Sequence, residues 1–355
     1  GLFEWLRLSI DPDRHTAFAG DGVVTETDGI VEWKPPGDGG RVTYTFPIDH
    51  LRNARSYESL IASESDQFEW PEFDERTASS LCYTSGTTGD PKGVLYSHRS
   101  TLLHTYAAAL PDAMGLAGAD VVLPVVPMFH VNAWALPYGC AIVGAKLVFP
   151  GPKMGDPETL QGLIESEQVT FAAGVPTVWQ GLIAYLEKTG KHIDSLQRVL
   201  SGGSAVPLAL MNQLRERGVE VVHAWGMTEM SPIGTIRCTS PEAAQLPTAE
   251  RDALRPKQGR TVFGVELKIT DEDGKELPRD GKSFGALKVR GPWIASSYYR
   301  RDNDAAFEAD GWFNTGDVAT ICPLGYMQIT DRTKDVIKSG GEWISSVDME
   351  NLAVA

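Results

Sequence analysis

Short apolar runs and helical patterns alternate through the middle of the chain, from Thr77 to Val222. Short runs bounded by Gly or Pro are typical of buried strands, whereas apolar residues three and four positions apart indicate helices. The predicted strands are 78–83, 121–126, 141–149, 170–173, 198–200 and 219–222. The predicted helices are 100–113, 157–168, 176–188 and 207–217. This alternation predicts an α/β fold with a doubly wound sheet.

The pattern changes after Thr261, where β-rich segments are divided by Gly-containing turns. Such punctuation predicts a smaller β subdomain. The turn signals are Asp273-Gly274, Asp280-Gly281, Asp310-Gly311 and Leu324-Gly325. The predicted boundaries are 1–55 for an N-terminal segment without an assignment, 56–260 for the α/β core, 261–330 for the β-rich subdomain, and 331–355 for a terminal segment.

Composition narrows the class of protein. With 355 residues and 42% hydrophobic content, the chain can bury at least one large core. A formal net charge of −15 argues against nucleic acid and anionic membranes as partners. The apolar runs are too short to predict a membrane-spanning helix. The four cysteines are scattered without a CxxC pair, which favours a reducing cytoplasm: Cys82, Cys140, Cys238 and Cys322.

A loop rich in hydroxyls and glycines follows the first predicted strand and carries the clearest chemical signal. Its sequence is Tyr83-Thr84-Ser85-Gly86-Thr87-Thr88-Gly89-Asp90-Pro91-Lys92-Gly93. Glycines let backbone N–H groups approach phosphate oxygens, while the hydroxyls add donors and Lys92 adds positive charge. The spacing differs from Walker A, because Gly86 and Gly89 lie too close together and Gly93 follows the lysine. The loop therefore predicts an ATP site of another type.

Several later motifs appear in one order with this loop, and together they resemble the adenylate-forming superfamily. They are His223-Ala224-Trp225-Gly226-Met227-Thr228-Glu229, Gly311-Trp312-Phe313-Asn314-Thr315-Gly316-Asp317, Pro127-Met128-Phe129-His130-Val131-Asn132-Ala133-Trp134, and Lys338-Ser339-Gly340-Gly341-Glu342-Trp343-Ile344-Ser345-Ser346. The third and fourth are most similar to medium- and long-chain fatty acyl-CoA synthetases. The resemblance covers about residues 56–352 and implies a large N-terminal adenylate-forming domain.

The resemblance implies an acid–thiol ligase that uses ATP, Mg²⁺ and CoA to activate an aliphatic carboxylic acid through an acyl-adenylate. A carboxylic acid is already ionised at neutral pH, so alignment and charge neutralisation carry the first step. Thr84, Ser85, Gly86, Thr87, Thr88, Gly89 and Lys92 are expected to hold the phosphates. Thr228 is expected to contact the α-phosphate, and Glu229 with Thr88 to hold Mg²⁺.

The nucleoside is expected to contact a second group of residues. Trp225 offers a flat face to adenine, and Asp317 offers carboxylate oxygens to the ribose hydroxyls. The other expected nucleotide contacts are Gly203, Ser204, Gly226, Met227 and Arg332.

The acyl group and the thioester step complete the implied site. His130, Trp134 and Gly202 are expected beside the carboxylate and acyl tunnel, with His130 also counted as catalytic and Trp134 as an aromatic gate. Lys334 matches the hinge of the small C-terminal domain. Lys338 and the loop Gly340-Gly341-Glu342-Trp343 are expected to face the site when CoA reacts.

The chain departs from the superfamily at both ends. It ends at Ala355, where members continue into a C-terminal domain with a late catalytic lysine, and its first 55 residues do not resemble their N-terminal sequence. The resemblance therefore predicts a shortened chain with its C-terminal domain mostly absent, and it leaves a homodimer open.

Three other functions compete with a fatty acyl-CoA ligase. A 3-methylmercaptopropionate-CoA ligase has the same mechanism and also carries Trp at position 225. An inactive nucleotide-binding fragment belongs to a different class. A luciferase-type oxygenase is disfavoured by the segment from Phe129 to Trp134.

Overall fold

The computed structural model describes residues 61–332, apart from 63, 66, 85–90 and 302–303, together with five strands outside that range. The strands β1 (Val23–Thr27), β2 (Ile30–Lys34) and β3 (Tyr44–Pro47) form an antiparallel sheet. They belong to one compact unit, residues 1–73 with 150–154, which also contains the 3₁₀ turn Gly151–Lys153. The second unit comprises residues 74–149 and 155–355.

The second unit begins with a hairpin and a helix. The strands β4 (Ala78–Tyr83) and β5 (Gly93–Ser97) pair antiparallel, with Cys82 opposite Val94 and Tyr83 opposite Gly93. The helix α1 (His98–Ala109) follows directly. Its start is fixed by Ser97, whose Oγ accepts a hydrogen bond from the Ser100 backbone N–H at 3.0 Å. The hairpin places the ends of the glycine-rich loop side by side.

A seven-stranded sheet forms the centre of this unit, in the order β12-β11-β10-β9-β8-β6-β7. The strands from β6 to β10 run parallel, while β11 and β12 are antiparallel additions. Their bounds are β6 (Val121–Pro124), β7 (Lys146–Leu147), β8 (Phe171–Gly174), β9 (Arg198–Ser201), β10 (Glu220–Gly226), β11 (Ile233–Ile236) and β12 (Arg260–Thr261).

Helices connect these strands, as the alternating pattern predicts. They are α2 (Leu136–Val143), α3 (Pro157–Glu167), α4 (Pro176–Thr189), α5 (Leu208–Glu216), α6 (Pro241–Ala244) and α7 (Thr248–Leu254). Asp156 caps α3 by accepting from the Thr159 N–H at 2.9 Å, and Pro157 takes the first helical position, where no N–H is required. Within the described residues, no helix is long and apolar enough to cross a membrane.

Two features differ from the sequence-based expectations. The strand expected over 141–149 is wrong, because residues 141–143 complete α2, which ends at Gly144 with φ +76°, and only Lys146–Leu147 form a strand. Left-handed Gly residues commonly end helices in this way. The helix expected over 100–113 starts two residues earlier and ends at Ala109, shortly before Pro111.

The predicted β-rich region forms a four-stranded antiparallel sheet, and a short hairpin follows in the predicted terminal segment. The sheet contains β13 (Glu266–Thr270), β14 (Phe284–Arg290), β15 (Phe313–Ile321) and β16 (Met327–Arg332). The hairpin contains β17 (Ile337–Ser339) and β18 (Glu342–Ile344). An α/β fold with a smaller β region is therefore confirmed.

The main apolar core joins the central sheet to the antiparallel sheet. It includes Phe171 and Leu200 from the parallel strands and Leu287 and Phe313 from β14 and β15, all at most 2% exposed. A smaller cluster contains Cys82, Val94, Tyr96, Val131 and Tyr298. This second cluster packs the β4–β5 hairpin against two other segments that carry candidate site residues.

Candidate active site

The hairpin β4–β5 closes at the base of the glycine-rich loop. The Thr84 N–H donates to the Lys92 carbonyl at 2.8 Å, and the Lys92 N–H donates to Thr84 Oγ1 at 3.4 Å. The predicted phosphate-binding residues Ser85, Gly86, Thr87, Thr88 and Gly89 lie outside the described residues. Thr84 and Lys92 thus mark the two ends of the loop.

Lys92 is held by two residues that sequence reasoning missed. Its Nζ lies 2.8 Å from Asp304 Oδ2 and 4.4 Å from the centre of the Tyr298 ring. The hydrogen bond from Lys92 lowers the pKa of Asp304, despite an opposing effect of burial. An ion pair with Asp304 and a cation–π contact with Tyr298 thus stabilise the position of the ammonium group.

Tyr298 also reaches the predicted magnesium ligand. Its hydroxyl donates to Glu229 Oε1 at 2.7 Å, and burial followed by the nearby Glu229 charge raises the pKa of Tyr298. The phenol is therefore a neutral donor. The Ala295 N–H donates to the Glu229 carbonyl at 2.8 Å, so one segment holds both the backbone and the side chain of this glutamate.

Thr228 and Glu229 lie in the 3₁₀ turn Thr228–Met230, immediately beyond the carboxyl end of β10. Tyr96 on β5 donates its hydroxyl hydrogen to the Thr228 carbonyl. Ligand sites in α/β folds lie beyond the carboxyl ends of parallel strands. Thr228 is 9% exposed and Glu229 is 5% exposed, so the hydroxyl and carboxylate are held in a largely buried turn.

The glycines beside this turn allow close backbone packing. A Cβ atom at Gly226 would lie 2.0 Å from the Pro232 carbonyl oxygen, and one at Gly202 would lie 2.6 Å from that of Ala224. Gly203 has φ +80°, in the left-handed region that favours glycine. Gly202, Gly203 and the exposed Ser204 follow β9, while Met227 follows β10. They therefore lie beyond neighbouring carboxyl ends in the sheet.

Trp225 and Asp317 are joined directly. The indole Nε1–H donates to Asp317 Oδ2 at 3.1 Å, while Arg332 Nε lies 3.1 Å from Oδ1. Asp317 is only 3% exposed, and burial raises its pKa, although Arg332 and Trp225 both act to lower it. Both carboxylate oxygens therefore have partners in this structure, and a ribose would have to share or replace them.

The segment from His130 to Trp134 adopts an unusual backbone. The helical turn Val131–Trp134 and the following Ala135 all have positive φ, between 45° and 60°, although none is glycine. Each left-handed L-residue costs about 1–2 kcal/mol relative to the right-handed form. Asn132 anchors this left-handed turn by donating from Nδ2 to Ser80 Oγ at 2.9 Å.

His130 and Trp134 stand at opposite ends of this turn and differ in exposure. Trp134 is 7% exposed and packs in the main core. His130 is exposed, and desolvation lowers its pKa. The turn therefore has an exposed imidazole at its start and a buried indole at its end, and the roles expected of His130 and Trp134 stay predictions.

Of the residues predicted for the thioester step, Lys338, Glu342 and Trp343 lie in the terminal hairpin. Lys338 on β17 is the register partner of Trp343 on β18, and Ser339 is the partner of Glu342. Lys334, Gly340 and Gly341 fall outside the part of the chain that the structure describes. Their expected roles stay predictions.

The matched sequence family is described as "AMP-binding enzyme", and it matches residues 27–299. The chain belongs to the AMP-binding enzyme family. The resemblance inferred from the motifs is thereby confirmed.

Curated relatives of this family member include CoA ligases for two kinds of acid. It is 57% identical over 309 residues to 3-methylmercaptopropionyl-CoA ligase of Ruegeria lacuscaerulensis, covering 87% of this chain and 57% of that protein. It is 54% identical over 301 residues to medium-chain-fatty-acid–CoA ligase of Ectopseudomonas oleovorans, covering 84% of this chain and 55% of that protein. The chain thus spans little more than half the length of these relatives.

A solved structure supports the same family. O-succinylbenzoate CoA synthetase of Bacillus subtilis, in complex with ATP and magnesium, superposes with a TM-score of 0.69 at 28% identity. The superposition covers 84% of this AMP-binding chain and 59% of the synthetase.

Proposed function

We propose that this chain carries the ATP- and acyl-binding part of a carboxylate–CoA ligase that acts on a fatty or similar aliphatic acid. The observation that carries the proposal is the convergence of separated motifs. Lys92, the Thr228–Glu229 turn and Asp317 are linked through Tyr298 and Trp225, within one contiguous region. An adenylating site requires a positive charge near the phosphates, a carboxylate that can bind magnesium and an acceptor for the ribose hydroxyls.

In the first step, an oxygen of the substrate carboxylate attacks the α-phosphorus of ATP. A P–O bond forms to give the acyl-adenylate, and the bond from the α-phosphorus to the bridging oxygen breaks, so diphosphate leaves with both electrons. Lys92 and the loop hydroxyls neutralise the departing charge, and Thr228 orients the α-phosphate. The acid is ionised at neutral pH, so no protein base is needed.

Magnesium fits the donor set around Glu229. The described residues contain no group of three His, Cys, Asp or Glu side chains that could hold a metal alone. Mg²⁺ typically binds through one or two carboxylates plus substrate phosphates, so Glu229 and Thr88 would hold it together with the nucleotide. The ion would supply charge neutralisation on the phosphates. Tyr298 orients the Glu229 carboxylate by donating to Oε1.

In the second step, the CoA thiolate sulfur attacks the acyl carbonyl carbon of the adenylate, and AMP leaves as the C–O bond breaks. We place Lys338 and the loop 340–343 beside this step and Lys334 at the hinge that precedes it. Support for these roles comes from the family membership and from the hairpin β17–β18.

The acyl pocket includes His130, Gly202 and Trp134 in this proposal. Support comes from the buried position of Trp134 at the end of a strained left-handed turn. Replacing Trp134 by Ala should accelerate fatty-acid binding measured by stopped-flow fluorescence of a labelled acid. Unchanged binding kinetics in Trp134→Ala, with and without ATP, would remove Trp134 from the pathway.

The second candidate substrate is 3-methylmercaptopropionate. Its support is the 57% identity to a ligase named for that acid. A chain-length series of straight acids, run beside 3-methylmercaptopropionate, should separate the two candidates through kcat/KM. A shared reaction mechanism makes both assignments compatible with the same ATP site.

The decisive experiment has two stages. ATP binding is measured first by calorimetry, for the unaltered chain, Asp317→Ala and the control Asp271→Ala, which changes a turn acid in the β-rich sheet. Diphosphate release and acyl-CoA formation are then measured with the acid series. If Asp317→Ala leaves the affinity for ATP unchanged, the proposed nucleotide site at Asp317 is wrong. Binding without product from any acid would identify this chain as a nucleotide-binding portion without ligase activity.

A cytoplasmic location and a homodimer complete the proposal. The four free cysteines support a reducing compartment. Sedimentation at several protein concentrations would test the homodimer, and a mass independent of concentration at the monomer value would exclude it.

A further inference from the structure

A cavity of about 530 Å³ lies at the amino end of β10. Glu220 begins this strand, and Arg237 follows the end of the antiparallel neighbour β11. The candidate active site lies at the other end of β10, which ends at Gly226. Six residue steps of about 3.3 Å separate Glu220 from Gly226, so the two sites lie about 20 Å apart along the strand. The cavity is therefore separate from the nucleotide site.

The cavity is lined by an excess of positive charge. Four arginines face two carboxylates, which gives a local balance of +4 − 2 = +2 in a chain with a net charge of −15. The arginines are Arg215, Arg237, Arg251 and Arg255, and the carboxylates are Glu220 and Asp252. A positive site inside an acidic protein concentrates small anions while the rest of the surface repels them.

The two carboxylates only partly neutralise these arginines. Arg237 Nη1 lies 2.9 Å from Glu220 Oε1. Asp252 Oδ1 is shared at longer distances, 3.7 Å from Arg215 and 3.8 Å from Arg255. The side chain of Arg251 donates to the Thr248 hydroxyl at 3.3 Å rather than to an acid. Arg255 Nη1 also donates to Asn212 Oδ1 at 2.8 Å, and Arg237 Nη1 donates to the Val221 carbonyl at 3.2 Å. The remaining N–H groups of these guanidinium groups are suited to planar, bidentate contacts with phosphate oxygens.

The floor of the cavity is apolar. Its accessible apolar surface comes mainly from the half-buried Leu254, because Met211, Val219, Val221 and Tyr326 also line the cavity but are at most 5% exposed. A ligand that fills the cavity therefore needs an anionic group that contacts the arginines and an uncharged, apolar body that contacts the rest of the lining. The volume falls in the range of about 300–1,000 Å³ that is typical of small-molecule sites.

We propose that this cavity is a second binding site, for a phosphomonoester dianion that carries a compact apolar body. A phosphomonoester has a charge of about −1.5 to −2 at neutral pH, which balances the surplus of two arginines. The phosphate lies between Arg215, Arg251 and Arg255, and the apolar body contacts Leu254.

Calorimetric titration with phenyl phosphate tests the proposal on the intact chain. Arg251→Gln and Arg215→Gln should each weaken binding by about 10-fold, because each removes a charge-assisted contact. Asp252→Asn should tighten binding several-fold by removing the competing carboxylate. Arg76→Gln, an exposed arginine outside the cavity, and Lys92→Gln, at the phosphate loop, should both leave the affinity unchanged. Inorganic phosphate should bind more weakly because it lacks the apolar body.

A local readout uses two half-buried cysteines. Cys238 lines the cavity and Cys322 does not, so phenyl phosphate should slow alkylation of Cys238 only. The proposal is overturned if phenyl phosphate does not bind at millimolar concentration, or if Lys92→Gln abolishes the binding while Arg215→Gln and Arg251→Gln retain it. Equal affinity for phenol would overturn the assigned phosphate contact.

Discussion

Asp304 holds the ammonium group of Lys92 at 2.8 Å, although 212 positions separate the two residues in sequence. The Lys92 side chain is 32% exposed and that of Asp304 is 19% exposed, so water only partly screens the pair. A polyphosphate that recruits Lys92 must compete with this carboxylate. On the proposed function, the ion pair would keep the lysine in place before ATP binds, and it would also weaken the first contact with ATP.

Removing the Asp304 charge should therefore tighten ATP binding. We expect Asp304→Asn to lower the dissociation constant several-fold, equivalent to about 1 kcal/mol, the upper end for partly exposed ion pairs. Calorimetry with a nonhydrolysable ATP analogue gives the measurement. Glu167→Gln removes the surface pair with Lys146 and should have no effect on the nucleotide. Weaker binding by Asp304→Asn would show that the aspartate positions Lys92 for the phosphates instead of competing with them.

The buried Asp317 should trade stability for nucleotide binding. Burial raises its pKa, so ionisation destabilises the folded state as pH rises from the ordinary Asp range through the raised value. Asp317→Asn removes this cost and keeps an acceptor for Trp225. We expect a melting temperature about 2 °C higher at neutral pH and ATP binding at least 10-fold weaker.

The pH dependence provides the check on Asp317. The stability advantage of Asp317→Asn should disappear as pH falls below the ordinary Asp range, where the native carboxyl is protonated in both states. A constant difference from acid to neutral pH would contradict the assignment to ionisation. Asp271→Asn, at an exposed turn, should leave ATP affinity unchanged.

The Tyr298–Glu229 contact should show strong energetic coupling. Hydrogen bonds to charged groups contribute about 1.5–3 kcal/mol, so a double-mutant cycle of Tyr298→Phe and Glu229→Gln should give a coupling of at least about 1 kcal/mol. Phenylalanine keeps the ring beneath Lys92. Urea unfolding of the four proteins gives the measurement.

Tyr326→Phe is the matched control for that cycle, because Tyr326 donates to the backbone carbonyl of Cys238 rather than to a charge. Its effect should add to that of Glu229→Gln within about 0.5 kcal/mol. Equal coupling energies in the two cycles would mean that the Tyr298 contact has no special role.

The left-handed turn should be stabilised by glycine. Ala135 has φ 60° and ψ 10°, so Ala135→Gly relieves backbone strain and should raise the free energy of unfolding by about 0.5–1 kcal/mol. Ala108→Gly lies in the right-handed helix α1 and should lower it by about 1 kcal/mol. Denaturant midpoints measure both changes, and destabilisation by Ala135→Gly would contradict the assigned strain.

Local sequence signals predicted most of the parallel sheet and its helices. The helix α3 could be predicted because Asp156-Pro157 marks its start and apolar residues recur at helical spacing. The strand predicted over 141–149 was wrong because an apolar stretch without clear periodicity fits a buried helix as well as a strand. The strand β5 was missed, although Val94, Leu95 and Tyr96 are residue types that favour strands.

The candidate site was only half predictable. The glycine-rich loop predicted Lys92, and the family resemblance predicted Glu229 and Asp317, but the contacting residues Tyr298 and Asp304 carry no local motif. Tyr298 contacts Glu229 across 69 positions, and such contacts depend on the tertiary fold. The left-handed turn was also unpredictable, since its residues include no glycine.

The segment 295–304 contacts two separate parts of the candidate site, the Glu229 turn and the β4–β5 hairpin. Ala295 and Tyr298 bind Glu229, the Tyr299 N–H donates to the Gly93 carbonyl at 2.7 Å, and Asp304 binds Lys92. Inserting one residue here would shift one set of contacts relative to the other. In protein engineering, the phosphate hairpin and the Glu229 turn are therefore not independent modules. A chimera that exchanges either of them between relatives should include this segment from the same parent.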